Sequence, residues 1–210
     1  MPIIKEFSKR YNEQLILEIS YQEFFPGIYW IKGENGSGKT TLFKSMAGIL
    51  PFDGKISFRD GIEIKKDPQV YRKRVNYSEA EPAYPGFLTA KDMIRFIGKV
   101  KNESIENQEV YIKAFGVDAF FDKPCETFSS GMMKKLSLVM AFFGAPQLVI
   151  LDEPLITLDE QARNTLLDLI RTKAKSGDTT FLISSHQSIS ASDLDIIQTL
   201  KIENKKLIPS

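Results

Sequence analysis

One stretch narrows the possible folds of this chain more than any other. Gly33-Glu34-Asn35-Gly36-Ser37-Gly38-Lys39-Thr40 fits G-x-x-x-x-G-K-[ST] without a gap. Before it, Gly27 to Lys32 (GIYWIK) is a β-branched and aromatic run that suits a strand. After it, Leu42, Met46 and Ile49 recur at i, i+4 and i+7, so a helix starting inside the motif buries one face. Strand, glycine loop and helix in that order turn backbone N–H groups inward around phosphates, and the positive end of the helix dipole faces the same charge. Lys39 is then a point charge for the β- and γ-phosphates and the Thr40 hydroxyl a ligand for Mg²⁺. Gly33, Glu34, Asn35, Gly36, Ser37, Gly38, Lys39, Thr40 and Thr41 form the expected nucleotide cradle. The competing account, a loose Gly/Ser turn, does not explain the strand and helix on either side.

A second run, Phe128 to Asp159, reads FSSGMMKKLSLVMAFFGAPQLVILDEPLITLD. Ser129, Ser130 and Gly131 precede a helix from Met132 to Phe143, whose apolar stripe is Met132, Leu136, Val139, Met140 and Phe143. That turn leaves the amides of a helix N-terminus unfilled, a second anion site in the same polypeptide. After Gly144-Ala145-Pro146, the strand Gln147 to Leu151 is apolar apart from its first residue, as a parallel strand covered on both faces should be. Its carboxyl end projects into the crevice where open α/β sheets bind ligands, which puts Asp152 near the Mg²⁺. Glu153, one residue further, is placed to accept a proton from an attacking water, a role worth roughly 10² to 10⁴ in rate.

In this order, and over nearly the whole chain, the features resemble the nucleotide-binding subunit of an ABC transporter. Lys39 and Asp152 are 152 − 39 = 113 residues apart, and between them SSGMM is similar to the family signature LSGGQ. The resemblance implies one ABC-type ATP-binding domain over residues 1–210: an α/β P-loop NTPase core with a mostly parallel sheet, an antiparallel β subdomain, and a small helical subdomain at about 88–128. It also implies roles. His186, the only histidine, follows TFLISS where the family carries a switch histidine that hydrogen-bonds the γ-phosphate and holds Glu153 and the water in line. Asp159 resembles the loop that crosses between two nucleotide-bound subunits; locally it also reads as the N-cap of a helix over Gln161 to Lys175. Tyr11 resembles the aromatic that stacks on adenine, with core packing as its other reading. Ser129, Ser130 and Gly131 would meet the γ-phosphate of ATP held by the opposite subunit. Two ATP molecules then join a head-to-tail dimer, of identical or different chains.

Two departures stand out. The signature has Phe128 for Leu, Ser130 for the first Gly and Met132 for Gln, none of which removes the Ser129 hydroxyl or the helix-end amides. The family's glutamine loop falls in Val75 to Pro82, and Ala80 stands where the glutamine belongs. That glutamine touches Mg²⁺ and links hydrolysis to the membrane partner. Glu79, Glu81 or a water are the candidates for the missing oxygen, since Mg²⁺ commonly keeps several waters.

Elsewhere the chain reads as an engine without a channel. Of 210 residues 42% are hydrophobic, yet no apolar run approaches the ~20 residues that span a bilayer, and no signal peptide precedes the first strand. The expectation is a cytoplasmic subunit, peripheral on the inner face of the cell membrane, beside a separately encoded permease. With 28 basic against 27 acidic residues there is no global field favouring nucleic acid or anionic lipid, and no nucleic-acid partner is expected. Lys65-Lys66 and Arg72-Lys73-Arg74 read as solvated faces. Cys125, the single cysteine, forms no internal disulfide, which suits a reducing compartment. Strand-like segments Lys55 to Arg59 and Ile62 to Lys65 flank an Asp60-Gly61 turn signal. Thr89 can cap a helix carrying Met93, Phe96 and Ile97, a second helix runs from Ile105 to Phe115, and Ile196 to Leu200 and Lys205 to Ile208 read as strands around Asn204. The leading reading is an ATPase subunit driving a permease, by analogy of the bacterial exporter type. The alternatives are a regulatory ATP-binding module with little turnover and a non-transport ABC ATPase acting on nucleic acid or ribosome.

Overall fold

Central apolar runs and flanking strands that alternate apolar with polar residues assemble into one nine-stranded sheet. In the computed structural model, which describes residues 1–185 and 193–210, the strands are β1 (Pro2–Tyr11), β2 (Gln14–Glu23), β3 (Gly27–Lys32), β4 (Asp53–Phe58), β5 (Val75–Ser78), β6 (Leu148–Asp152), β7 (Thr180–Ser184), β8 (Ile196–Glu203) and β9 (Lys206–Pro209). Their order is β4-β1-β2-β9-β8-β3-β7-β6-β5. From β5 through β6, β7 and β3 to β8 every pair is parallel. β1 is antiparallel to both β2 and β4, and β9 to β8. Among the described residues the α-helices are α1 (Lys39–Met46), α2 (Pro68–Lys73), α3 (Ala90–Lys101), α4 (Ile105–Ala114), α5 (Ser130–Ala141) and α6 (Glu160–Lys175). This is the mixed α/β fold, mostly parallel at its centre, that the sequence led us to expect.

Side chains alternate across a strand, so the central strands feed two cores. Ile28, Val149, Leu151, Phe181 and Ile183 join Leu136 and Val139 of α5, Leu166 and Ile170 of α6 and Ile94 of α3. Tyr29, Ile31, Leu148, Ile150 and Leu182 join Leu42, Phe43 and Met46 of α1 and Ile4, Phe7 and Ile56 of the antiparallel strands. Both faces of β6 and β7 are therefore covered, which accounts for their unbroken apolar composition. Thr89 and Asp159 cap helices as expected, and two serines not read as caps join them. Thr89 and Asp92 form a reciprocal capping box on α3, and Ser104, Ser129 and Asp159 cap α4, α5 and α6, each worth about 1 kcal/mol.

Several sequence boundaries move. α1 ends at Met46 because Gly48, at φ 76°, turns the chain, and Ile49 lies beyond the helix and exposed. Ile62 to Lys65 forms no strand: one bridge, Ser57 with Glu63, is all that survives, and β4 pairs with β1 instead. The chain turns at once into α2, whose first residue is Pro68. β6 begins at Leu148 rather than Gln147, because its ladder with β5 starts at the Val75–Leu148 pair, and it includes Asp152. α5 takes Ser130 and Gly131 into its first turn and stops before Phe143. Phe96 of α3 points out to solvent, 63% exposed. The basic cluster at 72–74 is not simply solvated: Arg72 donates to the Gly48 carbonyl and Arg74 pairs with Asp60.

Candidate nucleotide-binding site

The loop between β3 and α1 wraps its own lysine. Gly38 precedes α1 at φ 109°, a left-handed geometry that a side chain would strain, and no side chain caps the helix. Its first amides are thus left facing the loop. Lys39 is 8% exposed, and its Nζ donates to the carbonyls of Gly33 (2.7 Å) and Glu34 (3.0 Å). Burial lowers its pKa, while the Glu153 and Asp152 carboxylates oppose that shift. Tyr11, Ile16, Asn35, Gly36, Ser37, Gly38, Lys39, Thr40, Thr41, Asp152 and Glu153 line one cavity of about 330 Å³. Tyr11 ends β1 at the mouth of this cavity, 45% exposed. Its ring has the exposure a stacking role needs.

Asp152 is the hub. The Thr40 hydroxyl donates to its Oδ2 at 2.6 Å and the Ser184 hydroxyl to its Oδ1 at 2.6 Å. Tyr77 reaches Oδ2 at 3.4 Å, and burial together with Asp152 keeps that phenol protonated. Ser184 accepts in turn from the Glu153 amide at 3.1 Å. Glu153 is 7% exposed and sits at φ 45°. That conformation costs a non-glycine residue about 1–2 kcal/mol and directs the chain out of β6 at the cavity. Thr40 and Asp152 offer a neutral hydroxyl and a carboxylate at one point. Hard oxygen donors of this kind, few in number, fit Mg²⁺, which keeps waters and substrate oxygens in its shell. Among the described residues no group of three or more His, Cys, Asp or Glu forms a further candidate metal site.

Ser129, Ser130, Gly131 and Asp159 are not among the residues that line this cavity. Ser129 accepts from the Met132 amide at 3.2 Å, so the helix-end amides of α5 are not all unfilled as the sequence suggested; the serine takes one of them. Asp159 accepts from the Ala162 amide (2.8 Å) and from Lys135 Nζ (2.5 Å), and these donors, the lysine first, hold its carboxyl below the usual range. A Cβ on Gly131 would stand 2.9 Å from the Thr157 carbonyl. The Ser129–Gly131 turn and the 157–159 segment are thus packed together within one chain. His186 lies outside the described residues. At the glutamine-loop position, Ala80 has no side-chain oxygen, the Glu79 carboxylate pairs with Lys44 at 2.9 Å, and Glu81 is exposed. Sequence reasoning missed Ser184 and Tyr77. Ser184 stands beside Asp152 in the β6–β7 register, and a small polar residue closing an apolar strand was its only signal.

A strand, a glycine loop, a helix and a carboxylate-bearing strand two places away in the sheet, around one cavity, define the P-loop class of nucleotide-binding proteins. Residues 22–156 match the family model described as ABC transporter. The cytochrome c biogenesis ATP-binding export protein CcmA of Legionella pneumophila is 30% identical over 187 residues, covering 88% of this chain and 92% of its own. The daunorubicin/doxorubicin resistance ATP-binding protein DrrA of Streptomyces peucetius is 28% identical over 163 residues, covering 76% and 49%. A solved ATP-binding subunit of an ABC transporter superposes with a TM-score of 0.87 at 24% identity, over 98% of this chain and 87% of that one. The chain belongs to the ABC transporter family, as an ATP-binding subunit. No helix among the described residues is long and apolar enough to cross a membrane.

Proposed function

We propose that this subunit hydrolyses ATP and powers a separately encoded permease, of a bacterial exporter type, from the inner face of the cell membrane. The observation that carries the reading is the convergence of Lys39, Thr40, Asp152 and Glu153 on one cavity beside Tyr11. Tyr11 stacks on adenine, Lys39 with the backbone of residues 33–41 binds the phosphates, and Thr40 with Asp152 holds Mg²⁺. Mg²⁺ held there would supply positive charge to offset that of the phosphates. Glu153 takes the proton of the attacking water, aided by His186. Ser184 keeps Asp152 and the Glu153 backbone in place while this happens.

Ser129, Ser130 and Gly131, which do not line their own cavity, serve the nucleotide of a second subunit, with Asp159 at the same seam. ATP binding closes this head-to-tail dimer and hydrolysis opens it. Residues about 88–128, which hold α3, α4 and two 3-10 turns, act as the helical subdomain. Between them and the sheet edge runs a groove of about 250 Å³ lined by Ile49, Tyr84, Met93 and Ile97 among others. Phe87, Phe96 and Val100 are exposed on the same helical part. This groove suits an apolar helix of the permease.

A second reading, a regulatory module with little turnover, draws support from Ala80 and from the engagement of Glu79 by Lys44. Purified chain and its Glu153→Gln variant separate the two. The first reading expects Mg²⁺-dependent ATPase in the wild type, and retained ATP binding with turnover lowered roughly 10² to 10⁴-fold in the variant. Chromatography with ATP should give a dimer of that variant; near-normal turnover in it would end the assignment of Glu153 as base.

A further inference from the structure

The loop after β5 is the part of this site that the family pattern leaves unexplained. Its Ala80 carries no polar group, and its Glu79 carboxylate turns away to Lys44. The main chain of the same loop is nevertheless held, and by a residue of another element. Lys134, in the second turn of α5, is 1% exposed. Its Nζ donates to the Glu79 carbonyl at 2.6 Å and to the Asp152 carbonyl at 3.4 Å. Both partners are main-chain oxygens, so the ammonium is used as a bracket between two segments rather than as half of a carboxylate pair. One helical turn on, the Ser137 hydroxyl meets the Ser78 hydroxyl at 2.8 Å, so the same face of α5 grips the end of β5 twice. A buried ammonium costs several kcal/mol of lost hydration, which main-chain carbonyls at hydrogen-bond distance only partly return. Apolar residues at 134 would avoid that cost, so the bracket calls for a functional account.

We infer that Lys134 is a positioning residue that joins the loop after β5 to the end of β6, so that displacement of the loop reaches Asp152 and Glu153 through α5 rather than through a loop side chain. The inference rests on the hydrolytic reading above. The connection is direct in the fold. The loop forms one wall of the groove that holds Ile49, Pro82 and Tyr84, and Asp152 is the residue before the expected base. α5 also begins at Ser129 and contacts Asp159 through Lys135. One helix therefore touches the groove wall, the strand end and the 157–159 segment.

The test uses the full chain with Lys134→Met, which keeps most of the side-chain length without the ammonium, and Lys134→Arg, which restores donors. In Lys134→Met, kcat should fall about tenfold or more while KM for ATP stays within about twofold, and Lys134→Arg should recover most of the loss. A nitroxide on Ala83→Cys reports the loop itself; Ala83 is exposed and the native Cys125 is buried. Its spectrum without nucleotide should become more mobile with Lys134→Met and revert with Lys134→Arg. An unchanged spectrum overturns the bracket. A kcat that does not move, or a loss that Arg does not recover, overturns its role in positioning. A wild type with no turnover would defeat the hydrolytic reading, and the spectrum would still decide whether Lys134 holds the loop.

Discussion

Replacing Ser184 by Ala removes one hydroxyl from a fully buried position and should disturb two neighbours at once. The hydroxyl donates to a carboxylate, Asp152 Oδ1 at 2.6 Å, and accepts from the Glu153 amide at 3.1 Å. A hydrogen bond to a charged group contributes about 1.5–3 kcal/mol and a neutral one about 0.5–1.5 kcal/mol, so their joint loss should lower unfolding free energy by about 2–4 kcal/mol. For a chain of this size that lowers Tm by roughly 2–4 °C per kcal/mol. The functional effect follows from geometry. Without its anchor the Glu153 backbone can leave the left-handed conformation that costs it about 1–2 kcal/mol, and the carboxylate swings with it. Turnover should then fall about 10- to 100-fold, as for other groups that orient a metal-binding carboxylate. Urea unfolding of the nucleotide-free chain reads the first number and steady-state ATPase the second. Stability within about 0.5 kcal/mol of wild type, with turnover within about twofold, would refute the account of Ser184.

Two further substitutions probe the scaffold. Asn76, 5% exposed, donates from Nδ2 to the carbonyls of Ala141 (2.9 Å) and Phe143 (2.8 Å) and so closes the C-terminal end of α5. Asn76→Ala should cost about 2–3 kcal/mol in urea unfolding, and a loss under about 0.5 kcal/mol would show the contacts to be idle. Lys101 lies with its Nζ on the carbonyls of Arg72, Lys73 and Val75, and burial pushes its pKa down to about 8. Below about pH 8 the lysine is charged in both states and its burial penalty is fully present. Between that pH and the ordinary value of about 10.4 the unfolded chain binds more protons, so stability climbs with pH. Measured against Lys101→Met, the wild type should gain about 1 kcal/mol between about pH 8 and about pH 9.5, and a flat difference would contradict the buried charge.

How much of this was legible in the sequence depends on the range of the interaction. Gly33 to Thr40, the strand before it and the caps at Thr89 and Asp159 are local patterns, and they fold as read. Ile62 to Lys65 has the alternation of a strand but keeps only one bridge to the free edge of β4, because the amides of Lys66 and Asp67 turn back to the Glu63 carbonyl and lead the chain into α2. Ser184, Tyr77 and Lys134 act across separations of 32, 75 and 18 residues from Asp152. No spacing rule connects such positions; the register of β5, β6 and β7 brings Ser184 and Tyr77 to the Asp152 carboxylate, and the packing of α5 on the sheet brings Lys134 to its main-chain carbonyl. Ser129 shows the reverse error, since the serine read as leaving its helix end open satisfies one of its own helix amides.

The alternation of β3, β6 and β7 makes the sheet a party wall between two rooms that share no furniture. Five inward residues on one side, Ile28, Val149, Leu151, Phe181 and Ile183, pack against α5 and α6 beside the polar ties of Asn76, Ser78 and Asp152 to α5, while Leu42 and Phe43 stand on the other. A chimaera that keeps those five together with Lys134 can exchange the rest of its helical layer for that of a relative and leave the lysine loop untouched.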